Sequence, residues 1–216
     1  MKRFLLGWTV LLCLLGVAAG QVNEGQMNND ARLRRGTQEI GLWASYSPTS
    51  VIGIGKSADR RYFEMSGQYA ITVLGGQRMA LKWVSELVPV ALLHEPTEYY
   101  FNDKHQLIGE RVGGTTYGAG ATPLGLQWNF LNGHHVQPFL DAHGGMLYFT
   151  RQEPVPNSSQ FNFTFNFGSG VQIFAGQKSR VLMGFKYHHI SNNNTAPQNP
   201  GIDNLAVYAG WLWKLR

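Results

Sequence analysis

From Gln160 to Phe174 the chain alternates strictly between two kinds of residue. Phe161, Phe163, Phe165, Phe167, Val171 and Ile173 take one parity, interrupted only by Ser169. Gln160, Asn162, Thr164, Asn166, Gly168, Gly170 and Gln172 take the other. Successive side chains on a strand point to opposite faces, so this is a strand with one aromatic face and one uncharged polar face. The same period runs on from Arg180, placing Val181, Met183, Phe185, Tyr187, His189 and Ser191 together, with Leu182, Gly184, Lys186, His188, Ile190 and Asn192 opposite. Eight segments of this kind are predicted, at about 38–47, 61–74, 78–92, 115–130, 135–149, 160–174, 180–191 and 203–214. Helical periodicity is almost absent. Short connections containing Gly75-Gly76-Gln77, Asn132-Gly133-His134 and Gly176-Gln177-Lys178 alternate with longer ones over about 48–60, 93–114, 150–159 and 192–202.

A water-soluble sandwich also alternates, but its polar face meets water and is normally charged. Here the polar face is rich in Gly, Asn and Gln, and the apolar face is unusually aromatic. That is the pattern of a membrane barrel, with apolar residues toward lipid and polar ones toward the lumen in segments of about 10 residues. The alternation of tight turns and long loops fits the same architecture, and closure removes strand edges that lipid could not satisfy. The predicted fold is all-β, an eight-stranded antiparallel transmembrane β-barrel spanning residues 38–216, with no second domain.

Composition adds the address. Lys2 and Arg3, the apolar run Phe4 to Val17 and the small residues Ala18-Ala19-Gly20 have the layout of a secretory signal peptide over residues 1–20. The run is short for a membrane-spanning helix, which takes roughly 20 apolar residues. The only cysteine, Cys13, lies inside it, so the exported chain has no thiol for disulfides, catalysis or metal ligation. Residues 21–37 are polar and aperiodic and are expected to form a flexible periplasmic lead-in. The formal net charge of +5 falls to +3 once Lys2 and Arg3 are removed, too mild to suggest nucleic acid. The expected location is the bacterial outer membrane.

Topology then picks out one candidate for chemistry. With an even number of strands both termini lie on the periplasmic side, so the seventh strand climbs from Gly176 and delivers His189 and Ser191 to the outer rim. Asp203 opens the descending eighth strand with the parity of its apolar residues Leu205, Val207, Trp211 and Trp213. All three then face outward across one hairpin, whereas His188 faces the lumen. A serine hydroxyl needs a base to take its proton, and the base needs a third group to hold its tautomer. Ser191, His189 and Asp203 supply nucleophile, base and acid. Asn192, through its backbone N–H or its amide, is the candidate oxyanion donor. From spacing alone the competing reading is a hydrogen-bonded polar rim.

The sequence His188-His189-Ile190-Ser191-Asn192, followed by Asn199-Pro200-Gly201-Ile202-Asp203, resembles the C-terminal motif of the lipid A 3-O-deacylase (PagL-type, acyloxyacyl hydrolase) family. Asp59-Arg60-Arg61-Tyr62-Phe63, Glu86-Leu87-Val88-Pro89, Tyr117-Gly118-Ala119-Gly120 and Gln137-Pro138-Phe139-Leu140 extend the likeness upstream. The resemblance implies an eight-stranded outer-membrane barrel and a serine esterase that removes the ester-linked acyl chain at the 3-position of lipid A. It maps the nucleophile onto Ser191, the base onto His189 and the oxyanion asparagine onto Asn192. Asp203 stands where some members have glutamate, and Asn194 where some have glycine. The implied partner is lipid A or lipopolysaccharide in the outer leaflet; a homodimer is compatible with the sequence, and the serine mechanism calls for no cofactor.

Other polar groups have simpler expected roles. The seven histidines are scattered, whereas zinc generally needs three or four converging ligands, so no metal site is predicted. Asp141 with His143, and Glu86 with Lys82, are expected as hydrogen-bonded and ion-paired groups of the lumen. Lys56, Arg60, Arg61, Lys104 and Arg111 fall in or beside the outer loops, either attracting lipid A phosphates or standing solvated. The alternative to the esterase is a non-enzymatic small barrel, a structural or adhesin-like surface protein.

Overall fold

The computed structural model describes residues 31–215. The expected signal peptide and the first ten residues of the expected lead-in lie outside these. Eleven strands follow in order: β1 (Gln38–Ser47), β2 (Ser50–Val51), β3 (Arg61–Gly75), β4 (Met79–Glu95), β5 (Glu98–Phe101), β6 (Leu107–Arg111), β7 (Gly114–Phe130), β8 (Val136–Glu153), β9 (Ser159–Phe174), β10 (Ser179–Ser191) and β11 (Ile202–Lys214). The eight long ones pair antiparallel in the order β1-β3-β4-β7-β8-β9-β10-β11, and β1 pairs back onto β11. The closing ladder runs from Glu39 opposite Lys214 to Tyr46 opposite Val207. The eight predicted segments are these eight strands, and the fold is a closed eight-stranded antiparallel barrel.

Alternation decides which face each residue takes. Leu42, Leu87, Leu126, Phe165, Phe167, Phe185, Val207 and Trp211 are exposed on the outer surface, a continuous apolar face of the kind a bilayer covers. The lumen is filled, not open. Lys82 Nζ lies 2.6 Å and Arg180 Nε 2.9 Å from the carboxylate of Glu39, all three essentially inaccessible. Gln172 accepts from Lys82 at 2.7 Å and donates to Glu39 at 3.2 Å. Above them Glu64 faces Lys186 at 3.7 Å and His188 at 3.8 Å. Buried charges are tolerated only when paired in this way.

The expected Glu86–Lys82 pair is not formed. Four residues apart on one strand, the two lie roughly 13 Å from each other along the axis. Lys82 reaches across the lumen to Glu39 instead, and Glu86 accepts from Trp43 Nε1 at 3.0 Å. Asp141 and His143 do share the lumen, where Tyr208 donates its hydroxyl to Asp141 at 3.1 Å.

The connections also depart from expectation. Extension of β8 and β9 leaves only residues 154–158 between them, and the long 93–114 connection contains the separate hairpin β5–β6. Residues 31–37, expected to be flexible, close the short-turn end. Ala31 and Leu33 are buried against Ala80 and Phe174. Asn132 accepts from the Leu33 N–H at 2.8 Å and donates to the Leu33 carbonyl at 2.9 Å. At the long-loop end a second apolar cluster, including Tyr62, Leu93, Phe149, Ile190 and Ile202, seals the lumen below the outer connections.

Candidate active site

At the long-loop end of β10, Tyr187, His189 and Ser191 keep the outward parity that the sequence predicts, and His188 points into the lumen. Antiparallel pairing sets His189 directly opposite Asp203 on β11. Opposite residues have Cβ atoms about 4.5–5.5 Å apart, a span a short side chain can bridge. His189 Nδ1 lies 2.6 Å from Asp203 Oδ1. A carboxylate can only accept, so the His189 Nδ1–H is the donor in this contact.

Ser191 lies two residues beyond His189 on the same face, half-buried, opposite Phe163 of β9. Phe165 is the corresponding neighbour of His189. Among the described residues the Ser191 hydroxyl makes no hydrogen bond. What the arrangement offers chemically is an imidazole held through Nδ1, two residues from a hydroxyl on the same face of the strand.

Asp203 holds the one feature of the triad that parity did not reveal. It faces outward yet is wholly inaccessible, because the connection between β1 and β3 folds over it. β2 continues the line of β1 along β11, with Val51 opposite Asp203 and Ser50 opposite Asn204. The chain then crosses the carboxylate, and the Gly55 N–H donates to Asp203 Oδ2 at 2.8 Å. Beyond it, Lys56 N–H donates to Pro200 O at 2.7 Å and Ser57 N–H to Gly201 O at 3.2 Å. Both carboxylate oxygens are thus engaged, one by the base and one by this loop. Tyr187 presses its buried hydroxyl toward the same carboxylate.

Gly201, at φ +64°, brings its backbone against the His189 ring; a Cβ there would stand 3.1 Å from His189 Cε1. The glycine-rich stretch Gly53-Ile54-Gly55 was the available sequence signal for the loop. Nothing local, however, ties it to a residue 148 positions away.

Asn192 is differently placed from its expected role. Its backbone N–H donates to Asn199 Oδ1 at 3.0 Å, and its Nδ2 donates to Gln198 O at 2.7 Å. Its carbonyl accepts from Thr195 N at 3.1 Å and Thr195 Oγ1 at 2.7 Å. The residue is wholly buried and is the hub of the 192–201 connection. Asn193 and Asn194 have φ of 52° and 60°. That left-handed conformation favours glycine, with asparagine next best, which suits the asparagines at both positions.

The basic residues of the outer loops divide. Arg60 is buried and paired, with Nε 3.2 Å from Glu95 and Nη2 2.9 Å from Glu98, so its charge is used within the protein. Lys56 borders a cleft of about 500 Å3 together with Ser57, Thr97, Glu98 and Pro200.

Comparison with known proteins bears on the whole assembly. A family model described as lipid A 3-O-deacylase (PagL) matches residues 78–212, which include β10, most of β11 and the connection between them. A search of curated proteins finds no match. Among solved structures the chain is similar to the outer membrane enzyme PagL, at 17% identity and a TM-score of 0.51, covering 79% of this chain and 97% of that one. It is also similar to Neisserial surface protein A (NspA), at 12% identity and a TM-score of 0.49, covering 82% and 97%. OprG from Pseudomonas aeruginosa gives 13% identity and a TM-score of 0.47, covering 86% and 99%. At such identities the PagL likeness speaks to the fold alone.

Proposed function

The chain belongs to the lipid A 3-O-deacylase (PagL) family of outer-membrane barrel proteins, and from that premise we propose that it hydrolyses the ester-linked acyl chain at the 3-position of lipid A, using Ser191, His189 and Asp203. The observation that carries the reading is the 2.6 Å contact between His189 Nδ1 and Asp203 Oδ1, on the outward face at the long-loop end. A structural rim needs no such tautomer control.

In this mechanism Asp203 holds the Nδ1 proton, leaving Nε2 to take the proton from Ser191 Oγ as that oxygen attacks the ester carbonyl. The carbonyl oxygen becomes an oxyanion, for which Asn192 is the nearest candidate donor by chain position. The bond from the carbonyl carbon to the sugar oxygen then breaks, and the His189 imidazolium gives its proton to that oxygen. Water, deprotonated by the same imidazole, releases the fatty acid from Ser191. Phe163 and Phe165 flank the site on the lipid side, so an acyl chain can lie against the barrel wall without entering the lumen.

The test is lipid A mass spectrometry after incubating the folded barrel with purified lipopolysaccharide in detergent. The parent should remove one 3-hydroxyacyl chain, and Ser191→Ala should lose roughly 1,000-fold or more in rate while folding normally. Equal activity in the Ser191→Ala protein would overturn the assignment of the nucleophile. Absence of any deacylation by a folded parent would overturn the activity.

A further inference from the structure

Residues 50–57 form a strap with three properties that are independent of one another. Its start is ladder-paired to the outer end of β11, through Val51 and Ser50. Its far end is fixed by the Lys56 and Ser57 amides to the carbonyls of Pro200 and Gly201. Between these anchors it carries two large apolar side chains, Ile52 and Ile54, that are 74% and 72% exposed. Alternating with the exposed pair are Gly53 and Gly55, the two glycines that approach Asp203. Gly55 donates its N–H to Asp203 Oδ2, and a Cβ on Gly53 would lie 2.5 Å from the same oxygen.

Resting on the esterase reading above, we propose that this strap is part of the active site, with Gly55 as the positioning residue for Asp203 and Ile52 and Ile54 as the contact for the acyl chain of the lipid substrate. The occupant follows from continuity. β2 extends the barrel wall beside β11, whose Leu205 and Val207 are exposed on the lipid-facing surface. An exposed isoleucine pair that carries this surface past the end of the wall meets the same lipid environment. It stands across His189 and Ser191 from Phe163 and Phe165, so the reacting ester would lie between two apolar banks.

The acid side of the strap has a stricter geometry. A wholly buried carboxylate needs donors for both oxygens, and here His189 supplies one and the Gly55 N–H the other. Alanine at 55 would place its Cβ 2.9 Å from both Gly201 C and Ile202 N, backbone atoms that cannot move aside cheaply. The strap would have to lift, and Asp203 would lose its second donor and its shelter from water.

The two halves of the proposal predict opposite kinetics in mixed detergent–lipid A micelles. Gly55→Ala should lower kcat about ten- to a hundredfold with little change in KM, the size expected for one lost hydrogen bond to a charged group. In the Asp203→Asn background the same change should have no further effect, because the carboxylate it serves is gone. Ile52→Ser/Ile54→Ser should raise KM about tenfold and leave kcat within about twofold, the signature of lost uniform binding. These surface changes do not threaten folding, so they test the strap even where Gly55→Ala destabilises it.

Gly55→Ala with parental kcat, or slowing Asp203→Asn by the same factor, would overturn the positioning role. An unchanged KM in the isoleucine variant would overturn the lipid contact. Parent and Ser191→Ala are run alongside: if the parent is active and Ser191→Ala is not, a failure belongs to the strap and not to the esterase reading.

Discussion

Asp203 has a short side chain, yet its carboxylate meets the imidazole at 2.6 Å. Direct cross-strand pairing with His189 supplies the reach, and the strap then closes over the remaining oxygen. A longer acid has no room there, since Gly53, Gly55 and Tyr187 already crowd the carboxylate. Asp203→Glu should therefore lower kcat about tenfold, not raise it, as expected when a methylene is forced into a closed site at a cost of about 1–3 kcal/mol. Initial-rate measurements on lipid A would check this. A variant as fast as the parent would mean that the strap adapts to the acid and does not fix its length. That His189 and Ser191 share a face was legible in the sequence because parity is a local property of one strand. The Gly55 contact was not, because it depends on how a distant loop falls across the barrel rim.

At the level of the strands, alternation and turn signals were enough to locate all eight wall elements, and in the last three to assign their faces. It succeeds because lipid and lumen impose opposite demands on adjacent residues. Where those demands end, the pattern ends too. β8 runs past the expected boundary through Thr150-Arg151-Gln152-Glu153, and β9 starts one residue early at Ser159; their mixed polarity reads as loop. The β5–β6 hairpin is made of two strands of four and five residues, too short to show a period. The Glu86–Lys82 expectation failed for a different reason: sequence proximity does not give spatial proximity along a strand, and lumen partners come from across the barrel. The assignment of faces is itself testable. Phe185 lies outward and 52% exposed on β10, so Phe185→Arg should cost about 2–4 kcal/mol near the bilayer midplane. Denaturant titration of the protein in liposomes would measure it, and a cost near zero would mean the strand presents its other face to lipid.

Across the whole molecule, the lumen and the rim do separate jobs. The interior is crossed by Glu39, Lys82, Arg180 and Gln172 and stopped at one end by Ala31 and Leu33. It is a filled, charge-balanced core, and it holds the wall strands in the register that sets His189 opposite Asp203. The proposed chemistry sits on the opposite side of that wall, where substrate arrives from the bilayer. Damage to the core should therefore appear in stability before it appears in turnover. Lys82→Met removes a fully buried ammonium and leaves Glu39 with Arg180 as its remaining cation. Breaking one partner of a buried pair typically costs about 3–5 kcal/mol, and the Arg180 contact should hold the loss near about 3 kcal/mol, the lower end of that range. Below its unfolding midpoint the same variant should deacylate lipid A with kcat within about twofold of the parent, because Lys82 touches no residue of the triad or strap. Unfolding curves and initial rates on one preparation would read both quantities. A large drop in kcat at full folding would mean that substrate or a proton path runs through the lumen, and the division of labour between core and rim would fail.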